Sequence, residues 1–477
     1  MRPRVPYNCR RGEKEHHGLD QVTIVGAGIA GSEAAWQIAS RGIPVRLLEM
    51  RPDVSSPAHH SADFAELVCS NSLKSDDPHT ASGLLKRELE ALGSVIVAAA
   101  RATAVPAGAA LAVDRAAFSS IVTDVISGHP LITVTRGEAI DIPGGDVIIA
   151  TGPLTSDGLQ PALSALVGTE RLAFFDAAAP IVDASSIDAS RVFPASRWDK
   201  GGGADYLNCP LDREEYERLV KSLVDARRTH AKDFERRELF QACQPVEEIA
   251  RTGADALRYG ALKPVGLVDP RTGERPWAVV QLRPENRAAS AFNLVGFQTN
   301  LTFGEQDRVL RLIPGLERAE FLRYGVMHRN TFVDAPRLLT PGLALHAEPR
   351  VRIAGQLSGT EGYLEAAATG LIAALDVWTA RKNLPPFVLP STTALGALLG
   401  YATDPDTHPY QPMHVNFGLV PPLDMRVSGK QRRYAAYSER AIADRDEALL
   451  LRDDLRIPSP GLGRAAVTGT HLEASQR

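Results

Sequence analysis

No stretch of this 477-residue chain has the roughly 18 consecutive apolar residues needed to cross a bilayer, which argues against a helical membrane span. Cysteine is scarce. Cys9, Cys69, Cys209 and Cys243 lie far apart, and no C-x-x-C pair occurs. That spacing excludes a disulfide framework and the usual structural zinc site. No other metal-ligand spacing is visible, and the expected compartment is a reducing cytoplasm. A formal net charge of −4 excludes a chain that is basic throughout and coats nucleic acid, but it permits a local basic face. The opening MRPRVPYNCRRGEKEHHGLD, residues 1–20, lacks the apolar core of a secretory leader and reads as a disordered extension. No internal repeat or long low-complexity tract appears. What remains, 44% hydrophobic and 23% charged residues, is the composition of a folded globular protein. Its length predicts two or three domains.

The strongest pattern that is present spans residues 21–52, QVTIVGAGIAGSEAAWQIASRGIPVRLLEMRP. A buried strand is expected at Val22–Val25, running into Gly26-Ala27-Gly28-Ile29-Ala30-Gly31 and a helix over Ser32–Ser40. A second strand at Val45–Leu48 then delivers Glu49, with Arg51 just beyond. Glycines in this setting let the backbone turn and approach a pyrophosphate, which the helix N-terminus stabilises. An acidic residue at the end of the second strand accepts hydrogen bonds from a ribose. Residues 146–153, DVIIATGP, form another apolar strand with a small-residue turn. A third comes near the C-terminal end: a strand at Val351–Ala354, the turn carrying Gly355, Gly359, Glu361, Gly362 and Tyr363, then a helix with Leu364, Ala368, Leu371, Ile372 and Leu375 at helical spacing. Two glycine-rich strand–helix turns so far apart predict one large cofactor held from both ends of the chain, and FAD fits better than NAD alone.

Between them the character changes. Residues 212–228 predict an amphipathic helix with Tyr216, Leu219, Val220 and Leu223 on one face. A basic run follows: Arg227, Arg228, Lys232, Arg236 and Arg237. RYGALKPVGL (258–267) and PWAVVQLRPEN (276–286) read as strands. The expected organisation is an α/β protein, with an FAD-binding Rossmann-like domain of glutathione-reductase type interrupted by an inserted α+β domain. The expected bounds are 21–196 and 326–450 for the FAD domain, 197–325 for the inserted tRNA or substrate domain, and a disordered tail over 451–477.

GAGIAGSEAAW, LLEMRP, FAELVCSNSLKS, CQPVEEIARTG, RYGALKPVGL, YGVMHRNTF and GQLSGTEGYLEAA occur in that order over nearly all of residues 21–445. In this the chain resembles the folate- and FAD-dependent tRNA (uracil-5-)-methyltransferases. The resemblance implies formation of 5-methyluridine at uridine 54 of the tRNA T loop. It implies 5,10-methylenetetrahydrofolate as one-carbon donor, NADPH or NADH as reductant of FAD, and no obligate protein partner. It also implies that Cys69 and Cys243 are the catalytic cysteines.

The chemistry explains why cysteine is needed. C5 of neutral uracil is a poor nucleophile; a thiolate added to C6 makes it an enolate carbon. Cations near a cysteine favour the thiolate, and Cys243 has Arg236, Arg237 and Arg251 nearby in sequence; composition alone makes it a small core residue behind Phe240, and the resemblance is what makes Cys243 the favoured attacking group. Cys69, in the ELVCSNSLKS turn, is expected beside the reducible ring. His59 and His60 precede that turn and are candidates for proton transfer. Lys263 and Arg283 are candidates for folate carboxylates or phosphate, and His328, Arg329 and Asn330 form a re-entry strand near the site. A related FAD protein that modifies wobble uridines, a disulfide oxidoreductase and a non-catalytic tRNA-binding flavoprotein are the competing readings.

Overall fold

The computed structural model describes residues 21–462 except 57, 169–170, 178, 200–203, 230–243, 287, 326 and 409. Val22–Val25 is the middle strand of a five-stranded sheet ordered Val351–Ile353, Val147–Ile149, Val22–Val25, Val45–Glu49, Ile132–Arg136. Every pairing in it is parallel. Parallel sheets are covered on both faces, which is why these strands read as unbroken apolar runs; Val22, Ile24, Val147, Ile149 and Ile353 are fully buried. Successive strands build outward from Val22–Val25 on one side, and the chain then crosses to build on the other. Such a switch point opens a crevice at the carboxyl ends of the strands.

The cradle helix, Ile29–Ala39, begins four residues after the first strand. It packs on the long helix Tyr363–Arg381, more than 300 residues later. Only small residues allow this approach: a side chain on Gly370 would collide with the Ala30 carbonyl, and a Cβ on Gly355 would lie 3.1 Å from that of Ala30.

The second unit is a six-stranded antiparallel sheet ordered Phe193–Pro194, Leu207–Leu211, Ala278–Pro284, Ala291–Leu294, Ile181–Asp183, Phe321–Arg323. Two of these strands precede residue 197, so the expected domain boundary falls inside this sheet's span. An antiparallel pair, Arg171–Ala177 with Met327–Val333, carries the chain into and out of this unit. Helix Arg213–Asp225 starts at a capping box between Asp212 and Glu215 and buries Tyr216, Leu219, Val220 and Leu223, the expected apolar stripe.

The strand expected at 258–267 is not formed. A short helix, Ala256–Tyr259, is followed by turns. Pro264 has no N–H for a ladder, and Gly266 adopts φ +80° with its Cα face against the Trp198 ring. Residues 453–457, inside the expected tail, are docked: Leu455 is fully buried, its carbonyl accepts from Arg41, and Ile457 packs on Gly93. Residues 1–20 and 463–477 lie outside the described residues. Among those described, no helix is long and apolar enough to cross a membrane.

Candidate functional site

A cleft opens across the carboxyl ends of all five parallel strands. Gly26, Gly28, Ile29 and Ala30 line it after the first strand, Glu49 and Arg51 after the second, and Gly137, Thr151 and Gly355 after the others. The three glycines do different work. Gly26 turns the chain at φ +97°, where a Cβ would come within 2.7 Å of the Ala150 carbonyl oxygen. Gly31 lets the helix sit on the strand end, since a Cβ there would strike the Gly26 carbonyl. A Cβ on Gly28 would meet no protein atom within 4 Å; it would instead occupy space a ligand backbone needs. Gly28 is also the helix N-cap and supplies no side-chain cap, so the first-turn N–H groups keep their capacity for an anion.

Glu49 is buried at the cleft wall. One carboxylate oxygen accepts from the Ala27 N–H at 2.8 Å, and the other accepts from Arg51 Nε at 2.9 Å and the Arg51 N–H at 3.0 Å. Burial alone would raise this carboxyl, but the Arg51 and Ala27 bonds outweigh it and hold it below the usual carboxylate range. Arg51 also pairs with Glu66 at 3.2 Å, and Glu66 in turn accepts from the N–H groups of His60 and Ser61. Arg51 therefore locks the loop that forms one lip of the cleft. His59 lines the cleft with Nδ1 2.6 Å from Ser56 Oγ; burial and the Arg51 charge push its pKa down to about 4. His60 is exposed on the same loop. These residues fit FAD: a pyrophosphate cradle, an acid placed for a ribose, and a second glycine turn closing the far side.

The Cys69 turn adjoins that cleft through one side chain. Tyr363, the first residue of the long helix, lines the cleft, and its hydroxyl accepts the N–H groups of Cys69 at 2.8 Å and Ser70 at 3.2 Å. Burial, then the neighbouring Cys69 charge, pushes the Tyr363 phenol up, so it stays protonated. Cys69 itself is half-buried. Three arginines hold the turn from outside the parallel sheet. Arg283, buried, donates to Ser70 Oγ at 2.7 Å and Asn71 Oδ1 at 2.8 Å. Arg323 donates to the Val68 carbonyl at 3.2 Å. Arg115 pairs with Glu285 at 2.8 Å and donates to the Leu67 carbonyl. Burial pushes the Arg283 and Arg323 guanidinium groups down, and nearby negative charge, with Cys69 as one contributor, partly offsets this.

Several expected site residues lie elsewhere. Gly359, Glu361 and Gly362 are not on the cleft wall. Gly359 is packed against the Tyr410 ring, Glu361 accepts from Gln356 Nε2 at 2.5 Å, and Gly362 sits over the ion pair of Lys74 with Glu365. They shape the entry to the long helix. Arg283, a candidate for folate carboxylates or phosphate, is buried and holds the Cys69 turn through Ser70 and Asn71. Lys263 is exposed on the second unit, and residues 328–330 lie on the strand Met327–Val333. Cys243, with Lys232, Arg236 and Arg237, lies outside the described residues. The chain on either side of that segment is anchored on one stretch: Thr229 N–H donates to the Asn300 carbonyl at 2.8 Å and Val246 N–H to that of Gln298 at 2.7 Å. Arg227 and Arg228, which open that basic run, pair with Glu305 at 3.3 Å and Glu248 at 2.5 Å. Arg115, Glu285 and Arg323 carried no local motif. Only their convergence in space reveals them.

Fold and cleft define a flavoprotein of the Rossmann-like, dinucleotide-binding class. The family model described as Glucose inhibited division protein A matches residues 21–385. The methylenetetrahydrofolate–tRNA-(uracil-5-)-methyltransferase TrmFO of Desulforudis audaxviator (strain MP104C) is 57% identical over 423 residues, 88% of this chain and 96% of that one. The protein of the same name from Geobacter sulfurreducens is 55% identical over 429 residues, 90% of this chain and 98% of that one. The crystal structure of Aquifex aeolicus GidA in its form II crystal superposes with a TM-score of 0.65 at 17% identity, covering 91% of this chain and 74% of that one, a likeness of fold. The chain belongs to the Glucose inhibited division protein A family and, within that likeness, to the TrmFO methyltransferases.

Proposed function

We infer that this chain transfers the one-carbon unit of 5,10-methylenetetrahydrofolate to C5 of a uridine in tRNA, giving 5-methyluridine. The relatives that bear this activity in their name, alike over about nine-tenths of the chain, support the reaction class. The target within tRNA is uridine 54 of the T loop, as the motif resemblance implies, and NADPH or NADH is the reductant. The observation that carries the chemistry is Tyr363, which is at once part of the cleft wall and the acceptor for the Cys69 and Ser70 N–H groups. It ties the backbone of the Cys69 turn to the wall of a dinucleotide site, which supports a role for that cysteine there.

The reaction has three demands. A thiolate adds to uracil C6 and makes C5 nucleophilic. C5 then bonds to the methylene carbon and loses its proton, the methylene–nitrogen bond breaks to release tetrahydrofolate and leave an exocyclic methylene, and hydride adds to that carbon as the thiolate departs from C6 and the C5–C6 double bond re-forms. The methylene arrives at the formaldehyde level and leaves as methyl, so two electrons are required. FAD, when bound, supplies a ring that takes hydride from a nicotinamide and passes it on. The Gly26–Gly31 segment would hold its pyrophosphate, Glu49 its ribose, and Gly355 would close the second side. Tyr363 orients the Cys69 turn, while Arg283 and Arg323 support negative charge on Cys69.

Cys243 is the group that attacks C6, and Cys69 serves the second step at the cofactor edge. The antiparallel unit faces the tRNA, and the compartment is the cytoplasm. Incubation with a 5-fluorouridine T-loop RNA traps the C6 adduct. Cys243→Ala is expected to lose this adduct while keeping its bound flavin, and an adduct that survives in the variant would show that Cys243 does not attack. Methyl label that enters tRNA from S-adenosylmethionine instead of methylenetetrahydrofolate would overturn the function.

A further inference from the structure

Granting tRNA as the substrate, one face of the molecule is marked for it. The helix Lys430–Leu451 begins without a side-chain cap and without an acidic residue in its first turn. Lys430, Arg432 and Arg433 stand exposed there, with Arg426 exposed just before. Cations at this end oppose the helix dipole, so the helix itself gains nothing from them. Several exposed arginines elsewhere are matched by carboxylates, as in Arg101 with Asp76, Arg213 with Glu217 and Arg308 with Glu305; here four cations fall within residues 426–433. Among the described residues, none of these four cations takes part in an ion pair.

The face is also braced. Lys430 and Arg433 lie 5.4 Å and 6.0 Å from the Tyr434 ring centroid. Tyr434 and Tyr437 pack on Phe417 at 4.8 Å and 5.2 Å. Phe417 ends a strap in which the Val415 N–H donates to Glu365 at 3.0 Å, and Glu365 pairs with Lys74 at 2.7 Å, on the strand that follows the Cys69 turn. The basic face is thus fixed relative to the catalytic turn.

We propose that Arg426, Lys430, Arg432 and Arg433 form a docking face for the phosphodiester backbone of tRNA. Contacts of this kind set position and affinity without reading sequence. The proposal rests on the tRNA reading above, and the test separates the two. Binding of an unmodified tRNA transcript to the flavin-loaded full chain is measured over a range of salt concentrations. Each phosphate contact contributes about 0.7 to 0.9 to the slope of log affinity against log salt. The triple variant Lys430→Ala, Arg432→Ala, Arg433→Ala is expected to lower that slope by about 2 to 3. Alanine preserves helix propensity, and bound flavin reports the fold. Arg426→Ala, outside the helix, is expected to lower the slope by about 1, and Arg432→Lys with Arg433→Lys to leave it unchanged. Wild-type slope and affinity in the triple variant and in Arg426→Ala would overturn the docking face alone. A wild-type protein that binds no tRNA would overturn the tRNA reading and the docking face with it.

Discussion

Gly28 and Gly31 lie three residues apart in one motif, yet they answer to different constraints. Gly31→Ala drives a methyl group into the Gly26 carbonyl and should cost about 3 kcal/mol of stability, read as a lowered melting temperature. Gly28→Ala meets no protein atom, so its melting temperature should hold while the bound flavin, read from visible absorbance, falls sharply. Full flavin in Gly28→Ala would refute the placement of the pyrophosphate. His59 gives a pH signature. Its folded pKa of about 4 lies below the ordinary 6.5, so the native state resists its protonation. Stability from this group is complete above pH 6.5. It drains away as pH falls from 6.5 towards 4, because the unfolded chain takes the proton first, by at most about 3 kcal/mol. Urea melts of His59→Gln should show a shallower loss between pH 7.5 and pH 5 than the parent; parallel curves would refute this.

Elements join through buried caps that no local pattern announces. Glu88, on helix Ala81–Ala91, accepts the N–H groups of Ala394 at 2.8 Å and Leu395 at 2.7 Å, the first residues of helix Ala394–Thr403. Glu88→Ala leaves both donors buried and unmatched and should cost about 2 to 4 kcal/mol. Thr393→Ala removes the N-cap bond from the Gly396 N–H and the hydroxyl's bond to the Pro390 carbonyl, leaves one buried helix donor unmatched rather than two, and should cost about 1 kcal/mol. Equal melting temperatures for the two variants would contradict this ranking. The strand–glycine–helix element at 22–39 was legible because its period, glycines and cap are all local. The 258–267 segment was misread for the same reason: a short apolar run looks like a strand until Gly266 is seen packed on Trp198.

In the whole molecule the Cys69 turn is shared. Tyr363 reaches it from the parallel-sheet unit and Arg283 from the antiparallel unit. Arg283→Met preserves volume but leaves Ser70 Oγ and Asn71 Oδ1 without their guanidinium. Flavin content should stay near that of the parent, since Arg283 is not on the cleft wall. Methyl transfer should fall by about two orders of magnitude, in line with a misplaced reacting group. Loss of flavin in parallel with activity would mean that Arg283 supports the cradle rather than the Cys69 turn.

The sequence by itself determined the cradle. Gly26, Gly28, Gly31 and Glu49 belong to one short stretch in which turn, helix start and acid follow from local sterics and spacing. It also marked Cys69, through an unusual turn and its family likeness. Only the tertiary structure decided what surrounds that sulfur. Arg115 comes from a helix start, Arg283 and Glu285 from the end of one strand and Arg323 from another, and their positions depend on how these elements pack, a matter of long-range contacts that local periodicity does not encode. The same packing put Tyr363 on the cleft wall and left Glu361 and Gly362 off it, because at a helix start one residue's rotation decides which side chain faces the cleft.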